Sequence, residues 1–155
     1  MTTASDSQGE IHPEQCEPKA PGTYALLMEI KQEVVITVGR LGASRFAAGY
    51  YVYVGSALGS GGLAARLARH RRQEKKLRWH IDYVLVHAHI VDIKVNTSRQ
   101  KLECVWARKL LKMPGARVVA PHLGSSDCRC PSHLIYLGRG RAACWGKQVL
   151  AGLPQ

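Results

Sequence analysis

Long apolar runs are missing from this 155-residue chain. No stretch approaches the ~18 residues that cross a bilayer as a helix. A secretory signal is missing too, because MTTASDSQGE carries no basic cluster followed by an apolar segment. These two absences point to a soluble, cytoplasmic protein with no membrane partner. Acids are scarce: 11 Asp and Glu stand against 22 Lys and Arg, a formal net charge of +11. The first twenty residues hold four of those acids (Asp6, Glu10, Glu14, Glu17) and one base, Lys19, so the remainder is more basic still. Ribosome-associated and membrane-surface proteins share such an imbalance. A polyanionic nucleic acid is the partner it fits best, since phosphate contacts release counterions. Cysteine is neither absent nor plentiful. The five (Cys16, Cys104, Cys128, Cys130, Cys144) are odd in number and lack small-scaffold spacing, so reduced thiols are expected. Internal repeats and low-complexity tracts are absent.

What is present fits one core in one domain. Residues 1–20, polar and without periodicity, read as a disordered tail, and a single domain is expected over 21–150. TYALLMEI reads as a buried strand. VVITVG follows a polar turn and is expected to pair with it as a hairpin. RLGASRFAAG reads as a Gly-rich connector and YYVYVG as a third strand. SALGSGG reads as a flexible loop before a helix, GLAARLARHRRQ. On that helix Leu63, Ala64, Leu67 and Ala68 share an apolar arc, Arg66 and His70 stand four apart at its edge, and Arg69 and Arg72 point away. A short helix is expected at 78–84 and a strand near 88–95. SRQKLECVWARKLLK predicts a helix opened by Ser98, buried through Leu102, Val105, Trp106 and Leu110, and ended by Met113-Pro114-Gly115. HLGSSDCRCPS is turn-rich, HLIYLG is a last short strand, and the tail from Arg141 is weakly helical.

Several residues are oddly placed for a plain core. Tyr24 lies early in the first strand and Tyr53 just before Gly55. Arg66 and His70 share a helix face, and Arg66 has no acid at i±4, where Gly62 and His70 stand. Glu103 opens an otherwise apolar and basic helix. Phosphodiester hydrolysis needs a base for water, a cation for phosphorane charge and a carboxylate-held metal. These residues are able to supply those parts.

Gly22-Thr23-Tyr24 and Tyr53-Val54-Gly55 resemble the two naming motifs of the GIY-YIG nuclease superfamily. Leu63-x-x-Arg66-Leu67-x-x-His70 is similar to that superfamily's helix motif, and Glu103 resembles its metal-binding glutamate. From Gly22 to about Leu137 the chain also resembles a small uncharacterised subfamily with GTYALL, YVYVGSALG, GGLAARLARH, LRWHIDY, LEC-x-WA and GSSDCRC-x-SH segments. Members of that subfamily are sometimes joined to an endonuclease-III-type glycosylase. The resemblance implies an α/β (α+β) fold, a small, mainly antiparallel central sheet flanked by helices with the Tyr motifs at its centre. It implies a DNA endonuclease, possible partners including a repair glycosylase, and structure-selective cutting in repair. By resemblance Tyr24 or Tyr53 activates water, Arg66 stabilises the scissile phosphate, His70 orients or shuttles a proton, and Glu103 holds one Mg²⁺ or Mn²⁺. The chain departs from the superfamily pattern in the 28 residues between Tyr24 and Tyr53, room for an additional strand. Ser56-Ala57-Leu58 stands where a Lys often follows the second motif. Ser132 or His133 are the stand-ins for the distal Asn.

Arg69, Arg72, Lys75, Lys76 and Arg78 lie in a run whose one acid is Glu74, and they are candidates for tracking phosphates of DNA rather than RNA. Tyr51, Trp79 and Tyr83 are candidates for stacking on bases, or ordinary core and rim aromatics. Cys104, Cys128, Cys130 and His133 form a candidate structural Zn²⁺ set, although C-x-C is shorter than the usual zinc spacing. Buried thiols packing a turn are the other reading. His80 and Asp82 either support the site or make a structural hydrogen bond. Two other functions are open: a catalytically silent nucleic-acid-binding module of the same fold, and a zinc-stabilised interaction protein.

Overall fold

A computed structural model describes residues 19–126, 128–140 and 143–154, without the side chains of 143–145. The expected tail, apart from Lys19 and Ala20, lies outside the described residues, as do Cys16 and Asp127. The strands β1 (Gly22–Ile30), β4 (Gly49–Ala57), β5 (His89–Asn96), β6 (Arg117–Val118) and β7 (Leu134–Gly138) form one sheet in the order β5-β1-β4-β7-β6. Every pairing in it is antiparallel. The helices are α1 (Gly62–Arg71), α2 (His80–Leu85), α3 (Glu103–Leu111) and α4 (Ala143–Ala151). The fold is the expected α+β arrangement, with the Tyr motifs on the inner strands β1 and β4. Among the described residues no helix is long and apolar enough to cross a membrane.

β1 is buried almost throughout because both faces of the sheet are covered. Its even residues Tyr24, Leu26, Met28 and Ile30 meet Leu63 and Leu67 of α1 and Ile81 and Val84 of α2. Its odd residues Ala25 and Leu27 meet Trp106, Ala107 and Leu110 of α3 and Leu150 of α4. The period-2 alternation of a strand thus feeds two cores. The second core runs on past α4: Leu153 is buried, and the Trp106 indole N–H donates to the Pro154 carbonyl at 2.6 Å.

Several expectations need correction. The segment VVITVG does not pair with β1, whose two edges are occupied by β4 and β5. Instead β2 (Val34–Thr37) pairs with β3 (Ala43–Phe46), which sits in the stretch read as a connector. This separate hairpin fills the long interval between the Tyr motifs and lays Ile36, Val38 and Phe46 on the first core. Helix α3 starts at Glu103 and not at Ser98. The Asn96 side chain accepts from the Ser98 N–H and the Ser98 hydroxyl accepts from the Gln100 N–H, local turns that compete with a helix. Val105 is 44% exposed, and the buried face centres on Trp106, Ala107 and Leu110. On α1, Ala68 is exposed and His70 takes part in the buried face. Arg69 does not point away but turns onto α2.

Candidate functional site

The β1–β4 register places Tyr24 opposite Gly55. A Cβ on Gly55 would stand 2.6 Å from the Tyr24 hydroxyl, so the glycine of the second motif is required for the tyrosine of the first to lie across it. The Tyr24 and Tyr53 rings pack 6.2 Å apart. Behind them the Tyr24 hydroxyl meets His70 Nε2 at 2.6 Å, out of contact with solvent. Burial pushes the Tyr24 phenol well above its ordinary value and Tyr53 adds to this, while Arg66 pulls it down. Burial likewise pushes Tyr53 up to about 12, again opposed by Arg66. Burial drives His70 down to about 3, assisted by the charge on Lys75. The trio is therefore neutral at physiological pH, and His70 Nδ1 is a buried nitrogen without a hydrogen-bond partner.

Arg66 is set by two contacts. Its Nη1 donates to the Ser56 carbonyl at 3.1 Å, and its guanidinium lies 4.2 Å from the centre of the Trp79 ring. Arg69 lies 4.1 Å from the same ring. Trp79 is held in turn by Asp82, which is fully buried. One Asp82 oxygen accepts from the Arg78 and Trp79 N–H groups at the start of α2, and Arg69 donates to both carboxylate oxygens at 2.7 and 2.8 Å. Burial alone would raise the Asp82 pKa. The Arg69 and backbone hydrogen bonds outweigh it and hold the group at about 2. Asp82 is thus the anchor that fixes the Arg69–Trp79–Arg66 stack.

Glu103 enters from the other face of the sheet, in the first turn of α3. Thr23, inside the first motif, carries the tether: its hydroxyl accepts from the Leu102 N–H at 3.3 Å and donates to the Gln100 carbonyl. Tyr53, Ser56, Arg66, Arg78, Trp79, His80, Glu103 and His133 line one cavity of about 460 Å³, completed by Gly55, Gly124 and Ser126. Glu103 is one of its lining residues, and the Glu103 Oε2 atom is buried without a hydrogen-bond partner. A hard divalent cation fits such an oxygen, with phosphate and water oxygens completing its shell. Tyr24 and His70 do not line the cavity; they support it from behind Tyr53.

Beside Glu103, Cys104 joins Cys128, Cys130 and His133 in a group whose ligand atoms all lie within 4.8 Å of one another, able to hold a metal ion. His133 Nε2 is 3.5 Å from Cys128 Sγ and 3.7 Å from Cys104 Sγ. The three cysteines are free thiols. Burial pushes the Cys104 thiol up to about 12, with Cys130 and Cys128 adding to it.

The phosphate-tracking candidates divide. Arg69 is bound to Asp82, and Lys75 Nζ donates to the Arg69 and His70 carbonyls at the end of α1, where a cation meets the negative end of the helix. Arg72, Lys76 and Arg78 are exposed, and Arg78 reaches the cavity. Tyr51 is a core residue whose hydroxyl donates to the Ala47 carbonyl, and Tyr83 is half-buried against the same core. His80 Nδ1 accepts from the Gly124 N–H at 3.1 Å. Sequence reasoning did not find Ser56, Gly124 or Ser126. Of these Gly124 left a signal: its φ is +72° and a Cβ there would meet the Tyr53 ring at 2.9 Å.

The neutral His70 has a consequence for stability. Unfolded, it would bind a proton near pH 6.5; folded, it resists protonation down to about 3. Between those values the unfolded state binds more protons, so stability falls as pH is lowered, by at most about 1.4 kcal/mol per pH unit from this residue. Urea denaturation at pH 7, 6 and 5 is expected to show the decline, and His70→Gln is expected to flatten it. An equal slope in both proteins would remove His70 as the cause.

No curated protein and no solved structure matches the chain. One family model does, over residues 23–149, a span that contains every residue lining the cavity and all four members of the thiol–imidazole group, and the chain accordingly belongs to the family described as domain of unknown function DUF123.

Proposed function

We propose that the chain is a metal-dependent endonuclease that hydrolyses phosphodiester bonds in DNA, as its resemblance to the GIY-YIG nucleases implies. The observation that carries this reading is the single cavity lined by Arg66, Tyr53 and Glu103, whose carboxylate has one buried, unpartnered oxygen, although the three come from α1, β4 and α3. Such a cavity suits one phosphodiester. The Arg66 guanidinium, aimed by Ser56 and Trp79, faces the charge that develops on the phosphorane. Tyr53 orients the attacking water; to serve as its base it must first lose its own phenolic proton to solvent, a loss opposed by burial and favoured by the field of Arg66. Tyr24 and His70 hold Tyr53 in place. Bound by Glu103, a Mg²⁺ or Mn²⁺ ion would lower the pKa of a water and offset phosphate charge.

The surface around the cavity suits a polyanion. Only Glu29, Glu33, Glu74, Asp82, Asp92 and Glu103 of the acids stand among the described residues. Asp82 is neutralised by Arg69. Arg72, Lys76 and Arg78 are left to follow the phosphates. At the thiol–imidazole group the ion we propose is Zn²⁺, because three soft sulfurs and one imidazole make a closed structural set.

The test is cleavage of supercoiled plasmid and of branched duplexes with Mg²⁺ or Mn²⁺, alongside binding in EDTA. Nicking that needs the cation supports the nuclease. Binding without cutting on every substrate would instead make the chain a silent DNA-binding module.

A further inference from the structure

We infer that the Cys104–Cys128–Cys130–His133 group is a zinc centre that builds the wall holding Glu103, so that zinc must be in place before the cation site at Glu103 forms. The second half rests on the proposed nuclease reading; the first does not.

The distances carry the first half. With Zn–S near 2.3 Å and Zn–N near 2.0 Å, a tetrahedral ion holds its ligand atoms about 3.5–3.8 Å apart. The separations from His133 Nε2 to two of the sulfurs are 3.5 and 3.7 Å. All four ligand atoms lie within 4.8 Å of one another, although Cys104 is 24 residues from Cys128 in sequence. Four protein ligands leave no open position, so the ion is structural and not the one that meets substrate.

Connectivity carries the second half. Cys104 follows Glu103 directly in the first turn of α3. Cys128, Cys130 and His133 close the segment that supplies Gly124, Ser126 and His133 to the cavity. The His133 carbonyl accepts from the Val54 N–H at 2.9 Å, inside the Tyr53-Val54-Gly55 motif. One ion therefore joins the start of α3, the cavity's outer segment and the strand that bears Tyr53. Without it, among the described residues, the Thr23 tether from β1 and packing are what set the Glu103 turn. A displacement of about 1 Å is enough to impair a catalytic arrangement.

The experiment begins with full-length protein purified without chelator. Elemental analysis is expected to find about one zinc per chain. Exchange into Co²⁺ is expected to give the visible bands and sulfur charge transfer of a tetrahedral thiolate site. Cys128→Ser is expected to lose both, and Arg129→Ala, an exposed neighbour, to keep them. Mn²⁺ binding, followed by its electron paramagnetic resonance, is then compared in zinc-loaded, zinc-stripped and zinc-restored wild type. A tenfold or greater weakening on stripping, reversed on restoring, supports the coupling without reliance on a variant that could misfold. Absence of zinc together with absence of the Co²⁺ spectrum overturns the centre, as does retention of both in Cys128→Ser. Equal Mn²⁺ affinity in stripped and loaded protein overturns the coupling alone. If zinc is present but Mn²⁺ does not bind loaded protein and no substrate is cut, the nuclease reading fails, the coupling falls with it, and the zinc centre stands.

Discussion

Arg66→Ala is expected to slow plasmid cleavage by about 10²- to 10³-fold, the range seen when one group that stabilises transition-state charge is removed. Stability should change little, because Arg66 contributes one hydrogen bond to the Ser56 carbonyl and one stacking contact with Trp79, the latter about 0.5–1 kcal/mol. Arg66→Lys should restore little of the rate. A lysine keeps the charge but has neither the flat fork that stacks on Trp79 nor the fixed second donor direction. Glu103→Ala should remove cleavage in Mg²⁺ to the same degree by a different route, loss of the carboxylate that fits the cation, while DNA binding measured in EDTA persists. The two variants separate by metal titration. Raised Mn²⁺ should rescue neither Glu103→Ala nor Arg66→Ala, but only Arg66→Ala should still bind the ion. A wild-type rate in either variant would take that residue out of the mechanism.

Asp82→Ala is expected to destabilise the fold by about 3 kcal/mol, because it leaves the Arg69 guanidinium and two N–H groups at the start of α2 without their acceptor. The loss is set at the low end of the range for broken buried ion pairs, since Arg69 is 19% exposed and water is able to reach it. For a chain of this length that is a fall in Tm of roughly 6–12 °C. Asp82→Asn should lose less, since the amide oxygen is still able to accept the backbone N–H groups. Denaturant unfolding of the three proteins measures both values. The same variants should lower kcat more than DNA affinity, because releasing Arg69 and Trp79 frees Arg66 from its stack while the exposed Arg72 and Lys76 are untouched. A loss below about 1 kcal/mol in Asp82→Ala would show that the buried carboxylate is not the anchor of this stack.

Parts of this arrangement were legible before folding. The buried strands around both Tyr motifs, the helix carrying Arg66 and His70, and the Cys128-x-Cys130-x-x-His133 spacing are local patterns, set by side-chain periodicity within a few residues. Reading failed where a partner from elsewhere in the chain decided the outcome. The segment 34–37 is strand-forming wherever it is placed, and only the occupation of both β1 edges sends it to β3. Ser98 is a good helix opener in isolation, but the Asn96 side chain and the Thr23 hydroxyl delay the helix to Glu103. Arg69 looks solvent-facing on α1 because Asp82, which draws it in, lies 13 residues onward in another helix.

The sequence by itself determined the net positive charge, the identity of the groups available for chemistry and the strand or helix character of most segments, because composition and short-range periodicity act without knowledge of distant neighbours. Only the tertiary structure decided which of those groups face one another. Tyr24 and Tyr53 read as equals in sequence, yet the antiparallel register and the closure of α1 put Tyr53 on the cavity wall and Tyr24 against His70 behind it. Glu103 and Arg66 stand on helices that pack into different cores and come together at the cavity lined by Gly55 and Ser56 of β4. Such meetings depend on how the two apolar cores are buried, a free energy summed over the whole chain that no short window of residues contains.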